Sequence, residues 1–309
     1  MNRALLTTAF LLGACGTDDP ELGTIESELD ISAFTLPSTD AAARAEIVRR
    51  YDAIDPTNKV PRGLLEDALL YFDANQTHIP KKRYVVVIDM SLHSGKDRYW
   101  LVDLQSGAVE PHKVSHGNGS DPDNNGYADT FSNVSGSNKT SLGFYLTGEI
   151  YDGAHAHSMR LDGLSAAGSP NEMANTNARS RYIVVHEAAY VSDTNTGQQG
   201  RSNGCPALDP DIEVDMVDRI HGGSLMYIAT KPLAAPVGRA TCGDSLCDGT
   251  EDPTSCDVDC AGPDYGGGPV GEPGTDEDPD AATAGCSAGG GGAGFALVLA
   301  VAGLRRRRR

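Results

Sequence analysis

The spacing of apolar side chains predicts helices first and strands afterwards. Residues 38–54 form one predicted helix, capped by Ser38 or Thr39. Residues 61–75 begin with proline and carry apolar side chains at helical spacing, which predicts a second helix. After Lys81 the pattern changes to β-branched and aromatic runs separated by turn residues, and these predict strands that start as a hairpin or meander: RYVVVIDMSL, RYWLVDLQSG and VEPHKVSHG.

The following part of the chain combines a long loop region with a buried strand and a clearly bounded helix. Residues 121–164 are rich in Gly, Ser and Asn, with short predicted strands around residues 143–147 and 158–161, and loop-rich insertions of this kind often carry binding surfaces. The run RSRYIVVHEAAYV predicts a buried strand that ends near His186, and residues 209–222 have the cap, proline and glycine of a complete helix. A last strand, SLMYIAT, completes a mainly β domain with flanking helices over residues 39–235.

The charge and the N-terminus indicate an exported protein that does not bind nucleic acid. The net charge of -18 leaves no basic stripe that would neutralise phosphates. Residues 1–15 are a short apolar run after a basic residue, typical of an export signal. Their end, Leu-Gly-Ala-Cys, resembles a bacterial lipobox, which implies lipidation of Cys15; the alternative is an ordinary cleaved signal peptide with an incidental cysteine. Residues 16–38 are polar and are predicted to be a tether.

The C-terminus carries a second targeting pattern. Residues 285–309 contain Cys286, a Gly-rich spacer, a short apolar segment and five arginines. This layout resembles the myxobacterial C-terminal sorting signal. Which signal dominates is open, but both predict attachment to a membrane, by lipid or by the C-terminal anchor. The expected location is therefore the cell envelope, at the outer membrane or the cell surface.

The cysteines separate into groups with different expected roles. Residues 236–262 form a small acidic segment whose spacing suits two disulfides, with three pairings open, among Cys242, Cys247, Cys256 and Cys260. A stalk rich in Gly, Pro and Asp, predicted to be disordered, follows over residues 263–284. Because Cys15 and Cys286 belong to the targeting patterns, the cysteine left without a partner is Cys205.

The surroundings of Cys205 favour a reactive thiol over a structural one. Its neighbours are polar and turn-forming, whereas a structural cysteine usually sits in an apolar run. His186 lies upstream at a strand end and is a plausible base, and the amides of Asn203, Gly204 and Cys205 are candidates for an oxyanion hole. A pair of histidines in GAHAHS lacks carboxylate or cysteine at ligand spacing, so no metal is expected.

The motif His186…Ser202-Asn203-Gly204-Cys205 resembles the signature of the L,D-transpeptidase catalytic domain, a His followed by Ser-x-Gly-Cys. The resemblance extends over roughly residues 60–230, through SHGNGS, FSNVSGSNKTSLGFYLTGEIY, SMRLDGL and NARSRYIVVHEAAYVS, and is to the murein, YkuD-like branch of that family. It implies a β-sandwich or barrel catalytic domain and a cysteine acyl-enzyme that acts on peptidoglycan stem peptides. We expect a monomer that needs no cofactor.

The resemblance also implies roles for single residues. Cys205 would attack the carbonyl between meso-diaminopimelate and the terminal D-alanine of a tetrapeptide stem, with His186 as base and then acid. Ser202 would support the loop or the imidazole. Many members of the family carry Arg or Asn where this chain has Ala207, which makes other side chains weak candidates for holding the substrate carboxylate: Arg201, Arg179 and Arg181. His116 is a further candidate for lining the cleft.

Two alternatives to a transpeptidase stay open at the level of sequence. An L,D-carboxypeptidase would use the same site, with water in place of the acceptor amine. A non-catalytic module for cell-wall binding or surface display would retain the fold and leave Cys205 without a chemical role.

Overall fold

In the computed structural model, which describes residues 29–153 and 155–238, an eight-stranded sheet forms the frame of the chain. It is accompanied by a two-stranded sheet next to the predicted site. The strands are β1 (Tyr84–Asp89), β2 (Tyr99–Asp103), β3 (Val109–His112), β4 (His116–Gly117), β5 (Gly143–Gly153), β6 (Ala156–Gly163), β7 (Val184–Glu187), β8 (Arg201–Ser202), β9 (Ala207–Leu208) and β10 (Leu225–Ala229).

The strand order of the large sheet is β3-β2-β1-β10-β5-β6-β7-β9, and the sheet curls into a half-barrel. Neighbouring strands are antiparallel except for two parallel pairs, β1 with β10 and β7 with β9. All residues of β1 and β10 are buried, as expected for apolar runs in the middle of a sheet covered on both faces. The predicted hairpin of β1 and β2 is confirmed by their antiparallel register.

The described residues form three α-helices: α1 (Ala41–Val48), α2 (Arg62–Ala74) and α3 (Pro210–Ile220). α2 and α3 pack against the sheet, and α1 packs on α2. α3 begins as the sequence predicts, because the Asp209 carboxylate accepts the amide hydrogen of Asp211. The cap of α1 is Asp40 and not Ser38 or Thr39, since its carboxylate accepts the Ala43 amide at 2.9 Å. The prediction of a mainly β domain with flanking helices is confirmed.

A column of stacked aromatic rings joins the N-terminal segment to the core. Tyr71 of α2 stacks on Phe144 of β5 at 3.8 Å between ring centroids, and Phe144 stacks on Tyr227 of β10 at 4.2 Å. Phe34 extends the column, 6.4 Å from Tyr71. Residues 29–38, predicted to be part of the tether, therefore pack on the domain, because an aromatic side chain in this polar segment gains a buried face.

A buried charge cluster holds the helices and the end of the described chain together. Arg44 of α1 lies 3.0 Å from Asp67 and 3.5 Å from Glu66, both in α2, and all three side chains are fully buried. The same carboxylates accept backbone amides of the C-terminal segment (residues 233–238): Leu233 donates to Asp67 and Val237 to Glu66. The packed region thus continues beyond residue 235, where the sequence predicts its end.

Replacing Arg44 by alanine is expected to lower the free energy of unfolding by about 3–5 kcal/mol, because the buried carboxylate of Asp67 loses its cation. Glu66 keeps a second cation, Arg62, at 2.8 Å. The measurement is urea denaturation at pH 7. Burial raises the pKa of Asp67 to about 6 in the folded state, above its unfolded value. Protonation of Asp67 therefore stabilises the folded state as the pH falls through 6, and the deficit of the variant is expected to shrink at pH 5.

The matched control is Arg50→Ala. Arg50 also pairs with an aspartate, Asp73, at 3.2 Å, but its side chain is 54% exposed. Its removal is expected to change the free energy of unfolding by about 1 kcal/mol or less. Equal losses in the two variants would contradict the assignment of Arg44 as the buried counter-ion.

Several sequence predictions fall outside the described residues. These are the export signal over residues 1–15 with Cys15, most of the tether, the acidic segment with its two disulfides, the stalk over 263–284 and the sorting signal over 285–309. Within the described ranges, no helix is both long and apolar enough to cross a membrane.

Candidate active site

A cavity of about 620 Å³ lies where the two sheets meet. Among the residues that line it are six of those that the sequence analysis selects: Cys205, His186, Ser202, Asn203, Arg181 and Arg201. His116 and Arg179 are not among its lining residues. The structure therefore brings the predicted nucleophile and the predicted base to one cavity.

Strand pairing explains how residues that are distant in the sequence meet there. His186 in β7 is the register partner of Ala207 in β9, two positions after Cys205. On the other side, Ser202 in β8 pairs with Gly117 in β4. The Cys205 loop, residues 203–206, is thus fixed at both ends by parallel strand pairs, which gives the thiol a rigid mount.

The thiol of Cys205 is held in its protonated form at rest. Its Sγ atom lies 3.6 Å from the carbonyl oxygen of Tyr182, to which it donates. Burial raises the pKa of the thiol above its usual range, while the amide of Val184 and the cation of Arg181 oppose this increase in part. A base is therefore needed to produce the thiolate.

His186 has the tautomer that such a base requires. Its side chain is buried, and its Nδ1 atom lies 2.7 Å from the carbonyl oxygen of Glu187. A carbonyl only accepts hydrogen bonds, so Nδ1 carries the hydrogen and, in the neutral ring, Nε2 keeps its lone pair. Burial lowers the pKa of His186 below its usual value, so the imidazole is neutral at pH 7.

Ser202 organises the Cys205 loop from inside. Its Oγ atom donates to the carbonyl oxygen of Cys205 at 2.6 Å and accepts the amide hydrogen of Gly204 at 3.0 Å. Gly204 has a φ of +125°, and a Cβ at this position would lie 2.9 Å from the carbonyl oxygen of Lys139. Of the two roles expected for Ser202, support of the loop is the one that these contacts describe.

The amide of Gly204, one of the three predicted for the oxyanion hole, donates its hydrogen to Ser202 in this structure. The amides of Asn203 and Cys205 are the other two members of the predicted set.

His116 belongs to the scaffold and not to the cleft, which corrects the sequence prediction. Its side chain is fully buried; Nδ1 lies 2.8 Å from Arg98, and Nε2 lies 3.2 Å from Asp121. Burial and the adjacent Arg98 lower the pKa of His116 to about 4, so it stays neutral. This network supports β4, which pairs with the strand before the Cys205 loop.

The three predicted arginines have different surroundings. Arg179 pairs with Asp162 and Glu149, which neutralise it away from the cavity. Arg181 donates to the carbonyl oxygens of Ser132 and Lys139, and Arg201 donates to the carbonyl of Asp121. Within residues 29–153 and 155–238, neither Arg181 nor Arg201 forms a salt bridge, so both bring uncompensated positive charge to the cavity.

Six further residues of the cavity are absent from the sequence-based set. Four carry aromatic rings, Tyr151, His155, Tyr182 and Tyr190, and the other two are Ile183 and Val184. Tyr182 is 71% exposed and has a φ of +55°, a backbone conformation that is rare for a bulky residue. That conformation presents its carbonyl oxygen to the Cys205 thiol. No local sequence signal marks these aromatic residues as site residues, and among the described residues no cluster of metal-ligating side chains is present.

Several solved structures are similar to this chain. They include an L,D-transpeptidase from Mycobacterium smegmatis (14% identity, 47% of this chain and 58% of that chain, TM-score 0.29). Others are LdtMt1 in complex with imipenem (13%, 48% and 59%, TM-score 0.29) and an L,D-transpeptidase from Stackebrandtia nassauensis (14%, 62% and 78%, TM-score 0.28). The chain thus spans less than two thirds of the first two. No curated protein matches the chain.

The family assignment comes from a different comparison. The family model described as "L,D-transpeptidase catalytic domain" matches residues 56–229. This match includes every residue of the cavity described above and covers more than half of the 309-residue sequence. The resemblance found in the motif around Cys205 is therefore confirmed, and the chain belongs to the L,D-transpeptidase catalytic domain family.

Proposed function

We propose that this protein is an exported cysteine acyltransferase that performs L,D-transpeptidation on peptidoglycan stem peptides. The observation that carries the proposal is that a protonated thiol without a disulfide partner, Cys205, and a neutral imidazole of defined tautomer, His186, line one cavity. This cavity lies within the region that matches the family. Attachment to the cell envelope through lipidated Cys15 or the C-terminal signal is part of the proposal.

In the acylation half, Nε2 of His186 takes the proton of the Cys205 thiol while Sγ attacks the carbonyl carbon between diaminopimelate and D-alanine. The amides of Asn203 and Cys205 stabilise the negative oxygen that forms. When the tetrahedral intermediate collapses, the C–N bond breaks, and the proton on His186 passes to the departing amine of D-alanine. A thioester on Cys205 and a neutral imidazole are the result.

In the second half, an amine of a neighbouring stem attacks the thioester and gives a proton to His186. The C–S bond then breaks, and the thiolate recovers its proton from the imidazolium. Water in place of the amine yields an L,D-carboxypeptidase with the same residues. The cavity charge fits both reactions, because Arg181 and Arg201 complement the carboxylates of a stem peptide.

The test is incubation of the purified full-length chain with a disaccharide-tetrapeptide, followed by mass spectrometry of the products. A transpeptidase is expected to release D-alanine and to form a cross-linked dimer. The matched control substrate is the disaccharide-tripeptide, which ends at diaminopimelate and has no D-alanine to release.

The products distinguish the proposed enzyme from its alternatives. Conversion of tetrapeptide to tripeptide without dimer assigns the carboxypeptidase reaction. Binding to isolated cell wall without any conversion, in a sample shown to be folded by circular dichroism, assigns the non-catalytic module and rejects the proposed function.

A further inference from the structure

A second imidazole lies against the proposed base. His155 is at the end of the hairpin formed by β5 and β6, far from the Cys205 motif in sequence, yet it lines the same cavity. Its ring stacks on that of His186, with 4.1 Å between centroids and 20° between planes. This contact joins the hairpin directly to the residue that handles the proton.

The stack adds a constraint that the hydrogen bond to Glu187 does not supply. One hydrogen bond at Nδ1 fixes the tautomer of His186, but the ring can still tilt about that bond. A flat ring parallel to its face opposes the tilt, and therefore fixes the direction in which the lone pair of Nε2 points. The geometry of proton transfer is sensitive to such small displacements.

We propose that His155 is a positioning residue for His186, which it holds by ring stacking in the orientation needed for proton transfer. This inference rests on the proposed role of His186 as the base. It assigns to the tip of the hairpin a part in the chemistry that neither the Ser-x-Gly-Cys motif nor the histidine pair in the sequence indicates.

Charge strengthens the argument from geometry. Two stacked imidazoles resist simultaneous protonation, and His155 lowers the pKa of His186 in addition to the larger effect of burial. The other titratable or charged groups of the cavity come from β5, the segment before β7, the loop after it, β8 and the Cys205 loop: Tyr151, Arg181, Tyr182, Tyr190, Arg201 and Cys205. Glu187 follows His186 directly, and Glu213 of α3 interacts with Glu187.

The test compares His155→Ala and His155→Phe in the full-length chain, with imipenem acylation followed by intact mass from pH 5 to pH 9. His155→Ala is expected to lower the acylation rate about tenfold at pH 7, because the base loses its orientation. His155→Phe keeps a flat ring and is expected to stay within about threefold of the wild type. In both variants the rising limb of the pH profile is expected to move to higher pH, since His186 loses a neighbour that disfavours its charged form.

The matched control is Asp152→Ala. Asp152 belongs to the same hairpin, but its side chain is exposed and it does not line the cavity. Its acylation rate and pH profile are expected to equal those of the wild type. Thermal unfolding of all three variants separates a loss of stability from a loss of positioning.

An NMR titration of the His186 ring tests the stack whether or not the protein is active. Loss of the neighbouring ring in His155→Ala is expected to shift the His186 resonances and to raise the pKa of His186. If the wild type is not acylated at all, the proposed function fails, and the titration still decides whether the stack exists. An unchanged pKa of His186 in both His155→Ala and His155→Phe would overturn the inference. Equal losses of acylation rate in these two variants would also overturn it.

Discussion

Replacing Cys205 by alanine is expected to abolish covalent acylation and the release of D-alanine. Cys205 is the free cysteine of the described residues, and Ser202 cannot replace it. The Ser202 hydroxyl is committed to the loop by its bonds to the Cys205 carbonyl at 2.6 Å and the Gly204 amide at 3.0 Å. After incubation with imipenem, the intact mass of wild type will increase by one imipenem, and that of Cys205→Ala will not change.

The same variant is expected to keep its affinity for the stem peptide, because alanine leaves the loop and both cavity arginines in place. Equilibrium binding of the disaccharide-tetrapeptide to Cys205→Ala measures this directly. An imipenem adduct on the variant would assign the nucleophile to another side chain and refute the acyl-enzyme proposed for Cys205.

Replacing His186 by alanine is expected to lower the rate of acylation by about 10²–10⁴-fold at pH 7, the usual contribution of a positioned base. The effect should be near the upper end of this range, because burial keeps the Cys205 thiol protonated at that pH. Stopped-time intact-mass measurements with imipenem provide the rates. His78→Ala, at an exposed histidine outside the cavity, is the control and should react as fast as the wild type.

The acylation rates of the wild type and of His186→Ala are expected to depend on pH in different ways. In the wild type the rate should rise with pH through the depressed pKa of His186, below 6.5, and then level off once the imidazole is neutral. In His186→Ala the thiol must ionise alone, and its pKa is raised above its ordinary value. The residual rate should therefore keep rising at least to pH 9. A variant rate that is independent of pH would contradict the base role.

Local patterns were sufficient to predict the elements that carry the site. β1 and β10 are continuous apolar runs, and α3 has its own cap, proline and stop, so each is encoded within a few residues. Cys205 and His186 could be selected from the sequence for a similar reason. A cysteine without a partner is conspicuous in a protein that is expected to be exported, and a histidine at the end of a buried strand lies at the edge of a sheet.

The remaining features depend on contacts between distant segments. The network around buried His116 includes Arg98 from the segment before β2. The stack of His155 on His186 depends on how far the β5–β6 hairpin reaches over a curled sheet. The local pattern of apolar and polar residues predicts neither the exact length of a strand nor the curl of a sheet. The occupied amide of Gly204 depends on one rotamer of Ser202, which no sequence pattern specifies.

The C-terminal segment, residues 233–238, gives the domain a defined response to mechanical tension. A pull on the chain beyond Gly238 acts first on the amides that donate to Glu66 and Asp67, and these bonds lie across α2. β10 lies at the centre of the sheet, and it bears load only after the hydrogen bonds to Glu66 and Asp67 have broken. Force would then detach a short peptide from a helix before it reaches the strands that hold Cys205 and His186 in register.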